Sequence, residues 1–561
     1  MTFFARACQV VFAISGFALL QPGGAEATQN PPVLMGSHAG QTFRIAGTVV
    51  SATTGTPLSQ ARISISETTD RHKSISMITS EDGHFEFSQL QAGKYSLQGA
   101  KRGFISSAYE QHEQYSTAIV TGPEFSTENL VLRLTPMALI TGHVFDEFGD
   151  PVRSATVALF IESHSGGMSR IVRLSSSGTD DRGFYDFALV RPGKYYISVT
   201  AKPWYAIHPA SASGAADSAA PRVSPSLDVA YPTTYYNGAT EADSATPIEV
   251  KGGDRPQIDL HLNPTPALHL VFRIPENQPG QTNGFSMPLL QKHVFDSVEY
   301  VQNDGMRSVA PGMYEITGVP AGRYTVRVKN SNSGQLEQSA DVDLVRDGQE
   351  LNDSEGETLG SLKLSLKMPG EETLPKQYAV GLQDSKRRIV AFKRGNSSGQ
   401  FNFEDLAPGR YAILIGSSLK PYAVARTTSQ AGDSPGHDVN VTAGAAVELT
   451  ATLSSGIVSI EGVVHKKEKP VAGVMVALVP ADPVRHIELF RRDQSDSDGT
   501  FVLRGVIPGS YTIVAVEDAW GLEWLQPSVL ARYVQQGQNL TVGELMRGTV
   551  HLLDPVEVQP H

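Results

Sequence analysis

The stretch DGTFVLRGVIPGSYTIVAV, Asp498–Val516, contains two short apolar runs separated by Pro508-Gly509. Its spacing recurs at four earlier places. Aligned on the first glycine, the copies start at Gly83, Gly183, Gly312, Gly399 and Gly499. Two residues on stands an aromatic (Phe85, Tyr185, Tyr314, Phe401, Phe501), and four on an apolar residue (Phe87, Phe187, Ile316, Phe403, Leu503). Seven on comes Leu90, Val190, Val319, Leu406 or Val506, and ten on a second glycine (Gly93, Gly193, Gly322, Gly409, Gly509). Twelve on is tyrosine every time (Tyr95, Tyr195, Tyr324, Tyr411, Tyr511), and fourteen on an aliphatic residue (Leu97, Ile197, Val326, Ile413, Ile513). Chance does not give one seven-point spacing five times; this is an internal repeat.

Strand side chains alternate, so positions two and four share one face, as do twelve and fourteen. The phrase therefore encodes strand, turn, strand around a buried interior. Pro-Gly or Ala-Gly between the strands predicts a type II turn, with glycine supplying the positive φ. A tyrosine in every copy predicts a corner residue whose hydroxyl bonds a nearby loop, rather than a catalyst.

Further strands flank the phrase. Three copies have a Gly-x-Val strand upstream, from Gly47, Gly142 and Gly462; copies three and four keep only LHLVFRI and LKLSLKM. Many short strands with turn signals predict an all-β protein of five tandem small Ig-like or transthyretin-like β-sandwiches. WLQPSVLARYVQQGQNL, from Trp524, is the one expected short helix, leaning on the last sandwich. The expected domains are 43–136, 137–265 with a loop insert at about 201–250, 266–368, 369–455 and 456–561, in a string.

Over 561 residues the net charge is −12, an acidic balance that repels phosphate backbones and excludes nucleic acid as a natural partner. Arg6, the apolar run Ala7–Leu20 and Ala25-Glu26-Ala27 predict a secretory signal over 1–27, followed by a linker over 28–42. Cys8, the single cysteine, falls within it, so disulfides and thiol chemistry are not expected in the mature chain. No later apolar stretch is long enough for a membrane span, so an exported protein, periplasmic or extracellular, is expected.

GTVVSATTGTPLSQARISI, from Gly47, with TSEDGHFEFSQLQAGKYSLQGAKRGF, from Thr79, resembles the carboxypeptidase regulatory-like domain. The resemblance implies a transthyretin-like sandwich grouped with carbohydrate-binding-like folds, which accompanies peptidases without being their catalytic part. It is best in copies one, two and five, weaker in four and thinnest in three. Tandem copies behind a signal resemble secreted proteins of environmental bacteria. The first copy also resembles the N-terminal extension of TonB-dependent outer-membrane receptors, although no barrel pattern follows.

Gly395-Asn-Ser397-Ser-Gly399 has the letters of a hydrolase nucleophile elbow, but a strand follows where a helix is required. His465-Lys-Lys-Glu468 has the spacing of a zinc carboxypeptidase pair but sits in a polar turn without a third ligand. RRDQSDSDGTF, from Arg491, lacks the EF-hand glutamate and reads as a Ser/Asp hairpin turn, leaving weak calcium binding at loop ends open. Related pilus and adhesin sandwiches form isopeptide bonds with a glutamate on the strand after the tyrosine; Gly99, Val199, Val328, Ile415 and Ala515 stand there instead. No enzyme, cofactor or metal is therefore expected. Loop aromatics, Trp204, Tyr205, Tyr231, Tyr235, Tyr236, Trp520 and Trp524, are the candidate ligand surface, since such rings stack on sugars. The expected function is a non-catalytic spacer or protein-interaction scaffold with an envelope protein as partner, or alternatively a polysaccharide binder.

Overall fold

In the first sandwich the strands are β1 (Phe43–Ser51), β2 (Arg62–Glu67), β3 (Ser74–Ile78), β4 (His84–Leu90), β5 (Gly93–Ala100), β6 (Ser107–Ala108), β7 (Ile119–Thr121) and β8 (Leu130–Leu134). One sheet is β4-β1-β8, antiparallel then parallel; the other is β3-β2-β5, with β6 and β7 also on β5. The two strands of the repeated phrase, β4 and β5, thus belong to opposite sheets. The connection between them crosses the edge of the sandwich, so both strands turn their apolar residues into one interior. The computed structural model describes residues 41–561 apart from 71–72, 165–166, 209–223, 274–285, 302–305, 311–312, 331–335, 352–358, 371–372, 418–419 and 430–431. The expected signal and Gly312 lie outside the described residues.

The plan repeats. Each sandwich has a central strand with an antiparallel neighbour from the phrase and a parallel neighbour from the closing strand. Ala138–Phe145 lies between Phe184–Val190 and Leu260–His261. Leu268–Arg273 lies between Met313–Val319 and Gln349–Leu351. Gly360–Lys367 lies between Gln400–Leu406 and Ala446–Ser455, and Val458–Lys466 between Thr500–Val506 and Gly548–His551. One expected boundary needs correction. LKLSLKM falls on Gly360–Lys367, which pairs inside the fourth sandwich and buries Leu362, Leu364 and Leu366 in its core, not in the third.

The apolar positions of the phrase fill five cores, one per copy. The five tyrosines are at most 5% exposed. Each hydroxyl donates to the carbonyl four residues earlier: Tyr95 to Gln91, Tyr195 to Arg191, Tyr324 to Pro320, Tyr411 to Ala407 and Tyr511 to Ile507, at 2.5–3.1 Å. This is the expected corner role: the buried ring's hydroxyl finds a backbone acceptor within its own module.

The first glycine of the phrase is set by its backbone. Gly83, Gly183, Gly399 and Gly499 have φ of 66–78°, and their carbonyls accept from Val49, Val144, Leu366 and Val464 on the central strand. A side chain there would be strained in φ and, in copies one, two and five, would lie under 3.0 Å from a backbone carbonyl. The second glycine corrects the type II expectation. In four of five copies it has no positive φ; the left-handed residue lies four earlier, at Gln89, Leu189, Gly318, Asp405 and Gly505. There the ladder to the central strand shifts register, a bulge that bends the strand and aims the next apolar side chain inward. At Gly193, Gly322 and Gly509 the tyrosine closes over the glycine, leaving 3.3–3.4 Å for a Cβ. At Gly409 a Cβ would meet nothing within 4 Å, and crowding does not explain that glycine.

The expected helix is Pro527–Val534, with proline in its first turn and Leu530 and Tyr533 buried against Val514 and Val516 of the last sandwich. No helix among the described residues is long and apolar enough to cross a membrane.

Candidate functional site

The sandwiches do not hang as separate beads. The first and fifth meet across a polar seam built from the segment Arg491–Asp498, which the sequence presented as a Ser/Asp hairpin turn. Asp496 Oδ2 receives Lys94 Nζ at 2.6 Å, and its Oδ1 receives the Ala118 amide at 3.0 Å. Ser497 Oγ accepts from the Val120 amide at 2.8 Å, while the Ser497 amide donates to the Ala118 carbonyl at 3.0 Å. Gln494 Nε2 donates to Thr117 Oγ1 and to the Glu110 carbonyl, and Arg492 pairs with Glu113 at 2.7 Å. Gln494 and Ser495 are 1% and 0% exposed, so the Gln494 bonds lie in a closed interface, with the Lys94–Asp496 pair at its partly exposed rim. Backbone-to-backbone pairing across the seam fixes register as well as attraction, because its donors and acceptors cannot rotate away.

Burial dominates the electrostatics. It pushes the Asp493 carboxyl up to about 6, against the amide hydrogen bonds it receives from Val502 and Gln494. Burial also raises Asp496, and the Lys94 ammonium partly offsets it. Each carboxyl is largely buried, and Asp496 has the Lys94 cation in direct contact.

Two of the candidate ligand aromatics belong to this seam. Trp520 stacks on the His112 ring of the first sandwich at 5.0 Å and 5°, with Tyr115 at 5.6 Å. Trp524 is 8% exposed; the Arg492 guanidinium lies 4.5 Å from its ring centre. Gly167 of the second sandwich sits so close that a Cβ would fall 2.5 Å from the Trp524 ring. The Leu525 amide donates to the Gly167 carbonyl at 2.8 Å, joining the second sandwich to the same place.

The insert aromatics divide differently. Tyr235 is 0% exposed and packs on Phe295 of the third sandwich at 5.6 Å, where Phe160 and Tyr196 also meet that ring. Tyr231 is buried, and Tyr236 is half-buried against the second core. The Tyr205 and Tyr231 hydroxyls both donate to the Glu147 carboxylate. Burial pushes Tyr205 up to about 12, and the hydrogen bond to Glu147 adds to the shift; burial and Glu147 raise Tyr231 in the same order. Trp204 stands apart, at 87% exposure, with the Tyr205 ring edge-on at 5.8 Å. Of the seven candidate rings, Trp204 offers the widest open face for a ligand.

The discounted motifs occupy turns. Gly399 leads into the strand Gln400–Leu406, and Tyr378 donates to the Asn396 carbonyl at 2.8 Å across the serine loop. Lys467 and Glu468 have φ of 52° and 65° in an exposed reversal after His465. The sequence missed the seam because its residues are 377–406 positions apart and sit in a turn that resembles every other copy.

Residues 44–132 match the family model of the carboxypeptidase regulatory-like domain. The first sandwich is thus similar to the carboxypeptidase regulatory-like domain. In this regulatory-like domain the seam takes Lys94, from β5, and Ala118 and Val120, from the segment that includes β7, leaving β1 and β4 to the core. No curated protein matches the chain. Among solved structures, the Bacillus anthracis TIE protein is 10% identical with a TM-score of 0.18, over 75% of this chain and 76% of its own. A streptococcal ancillary pilin is 12% identical with a TM-score of 0.18, over 51% and 98%. BcpA, the major pilin subunit of Bacillus cereus, is 9% identical with a TM-score of 0.14, over 73% and 99%. Superpositions at these scores assign nothing to this chain beyond what its own sheets show.

Proposed function

We propose that this chain is an exported, non-catalytic scaffold of β-sandwich modules that presents surfaces to envelope proteins, with modules near 43–136, 137–265, 266–359, 360–455 and 456–561. The observation that carries this reading is the use made of the repeated polar group. All five tyrosine hydroxyls are engaged by a carbonyl in their own module, leaving the repeat no chemistry to direct outward. The seam between the first and fifth modules supports a closed scaffold over an extended spacer, since a spacer gains reach only if its ends stay apart. The fold itself does not supply an activity; function resides in surfaces placed on it.

A capture experiment on the purified mature chain tests the proposal, with envelope extracts in one arm and insoluble polysaccharides in the other. Reproducible retention of a defined envelope protein, with no turnover of peptide or glycoside substrates, supports the scaffold. Hydrolysis by the purified chain overturns it. The exposed Trp204 ring favours a second reading, polysaccharide binding, and retention on a glycan that is lost in Trp204→Ala would establish that instead.

A further inference from the structure

Where the fourth and fifth modules meet, two histidines and a glutamate converge. His437 lies just before the strand Asp438–Val441 of the fourth module. His486 and Glu488 lie at the start of the short 3-10 turn Ile487–Leu489 of the fifth. Both imidazoles present Nδ1 to the same carboxylate oxygen, Glu488 Oε1, each at 3.2 Å. One donor atom from each of the three lies within 4.8 Å of the others. The rings are perpendicular, at 89° and 5.2 Å between centres, so they converge on a point rather than stack.

We infer that His437, His486 and Glu488 form a binding site for a divalent transition metal, best suited to zinc, that clips the fourth module to the fifth. The spacing is the first argument. Zinc with nitrogen and oxygen ligands at about 2.0–2.1 Å in a tetrahedron holds neighbouring donor atoms about 3.3 Å apart. Both observed histidine–carboxylate separations match that edge. The second argument is independent of spacing. His437 Nδ1 and Glu488 Oε2 are buried and have no hydrogen-bond partner, although the former is 3.2 Å from Oε1. Buried polar atoms without partners are costly, and a cation at the meeting point would satisfy the unpartnered nitrogen.

The ligands are also held from behind. The His437 carbonyl accepts from the Ile413 amide of the fourth core at 2.9 Å. Arg491 Nη1 donates to the backbone carbonyls of Glu488 and Phe490 at 2.8 and 2.6 Å, and Nε to that of Gly505 at 2.8 Å. Two imidazoles and one carboxylate select a borderline metal such as zinc over calcium or magnesium, which prefer oxygen alone. Among the described residues the cluster offers three donors, and water would complete the fourth position. The site escaped the sequence because its parts come from different modules, 49 and 51 residues apart. The local pair His465 and Glu468 drew attention instead.

The test uses the full mature chain, stripped with a chelator and titrated with zinc chloride by calorimetry, with thermal unfolding recorded in parallel. The expected result is one zinc per chain at micromolar affinity or tighter and a rise in the unfolding temperature of the fourth and fifth modules. Cobalt(II) in its place should give the intense visible absorption of a four-coordinate ion. His486→Ala, at a partly exposed position, and Glu488→Gln, which keeps shape, should each weaken zinc binding at least tenfold. Unchanged far-ultraviolet circular dichroism shows that the variants still fold. No zinc uptake by the wild-type chain, uptake unaltered in both variants, or a weak six-coordinate cobalt spectrum would overturn the inference.

Discussion

The second and fifth copies make the same turn and use it for different ends. In both, the glycine amide donates to the aspartate three residues earlier, Gly183 to Asp180 at 3.1 Å and Gly499 to Asp496 at 2.8 Å, with glycine φ of 71° and 78°. In the second copy the aspartate closes the turn on itself. Asp180 Oδ1 accepts the amides of Arg182 and Phe184 at 2.9 and 2.8 Å, an ordinary Asx arrangement. In the fifth, Asp496 reaches the first module instead, and the local amide of Thr500 turns to Asp498 at 3.1 Å. An added acid two residues on frees the repeat's own acid for assembly. A repeat can thus acquire an interface without altering its backbone.

Four measurements sharpen or break that comparison, beginning with the largest expected effect. The cores should dominate. Tyr195→Ala removes a fully buried ring and its hydroxyl bond and should cost about 3–5 kcal/mol, seen as hydrogen-exchange loss confined to the second module. Spread of that loss to the fifth module would mean the cores are not independent.

Asp496→Ala and Asp180→Ala come next, as a pair. Asp496→Ala leaves Lys94 part-buried without its carboxylate and should cost about 2–3 kcal/mol, with new proteolytic cuts between the first and fifth modules. Asp180→Ala loses only turn hydrogen bonds and should cost about 1 kcal/mol. Equal costs in thermal unfolding would erase the distinction between the two turns.

The third effect is one of pH. Asp493 is raised from an ordinary 3.8 to about 6, so between those values the folded fifth module holds a proton that the unfolded chain has released. Its contribution is fully present below about pH 4 and is lost as pH rises through about 6, a change of about 3 kcal/mol. Denaturant midpoints measured from pH 4 to 8 should fall for the wild type and stay flatter for Asp493→Asn. Parallel curves would refute the assignment. The smallest effect is Tyr511→Phe, which keeps the ring and leaves the Ile507 carbonyl without its donor; about 1 kcal/mol is expected from chemical denaturation.

The cores were legible in the sequence because each is local. A phrase of about fifteen residues carries both of its strands, and alternation alone says which side chains meet. Gly83 and its equivalents could be read as turn glycines for the same reason. What the sequence misassigned needed one more dimension. Gly93 and its equivalents looked like the positive-φ residue of a Pro-Gly turn, yet the bulge four residues earlier takes that conformation, even at Leu189. LKLSLKM has no glycine to mark it as an opening strand; the spacing gives it to the fourth copy, but the boundary at 368 leaves it in the third sandwich, and pairing settles it for the fourth. Gly47 and Gly142 carry that mark because a Cβ would strike the carbonyls of Leu130 and Ile258 on the parallel neighbour.

The candidate site was the least legible part. Aromatics in loops suggest ligand platforms, but Trp520, Trp524 and Tyr235 lie where one module meets another. A ring that can stack on a sugar can equally cover a neighbouring sandwich, and residue type does not separate the two. Only the geometry across modules does so, and it leaves Trp204 as the ring with an open face. The segment Arg491–Asp498 reads as a Ser/Asp hairpin turn because its partners Lys94, Glu113 and Ala118 lie in another module, hundreds of residues earlier.

Zero-length carbodiimide cross-linking of the monomer, read by mass spectrometry, tests the closing of the fifth turn on the first module most directly. Lys94 and Asp496, at 2.6 Å, should join in one peptide pair, alongside the exposed pair Lys363 and Glu448 at 3.0 Å within the fourth module. Recovery of the Lys363–Glu448 link without the Lys94–Asp496 link would contradict the seam and return the chain to a string of independent sandwiches.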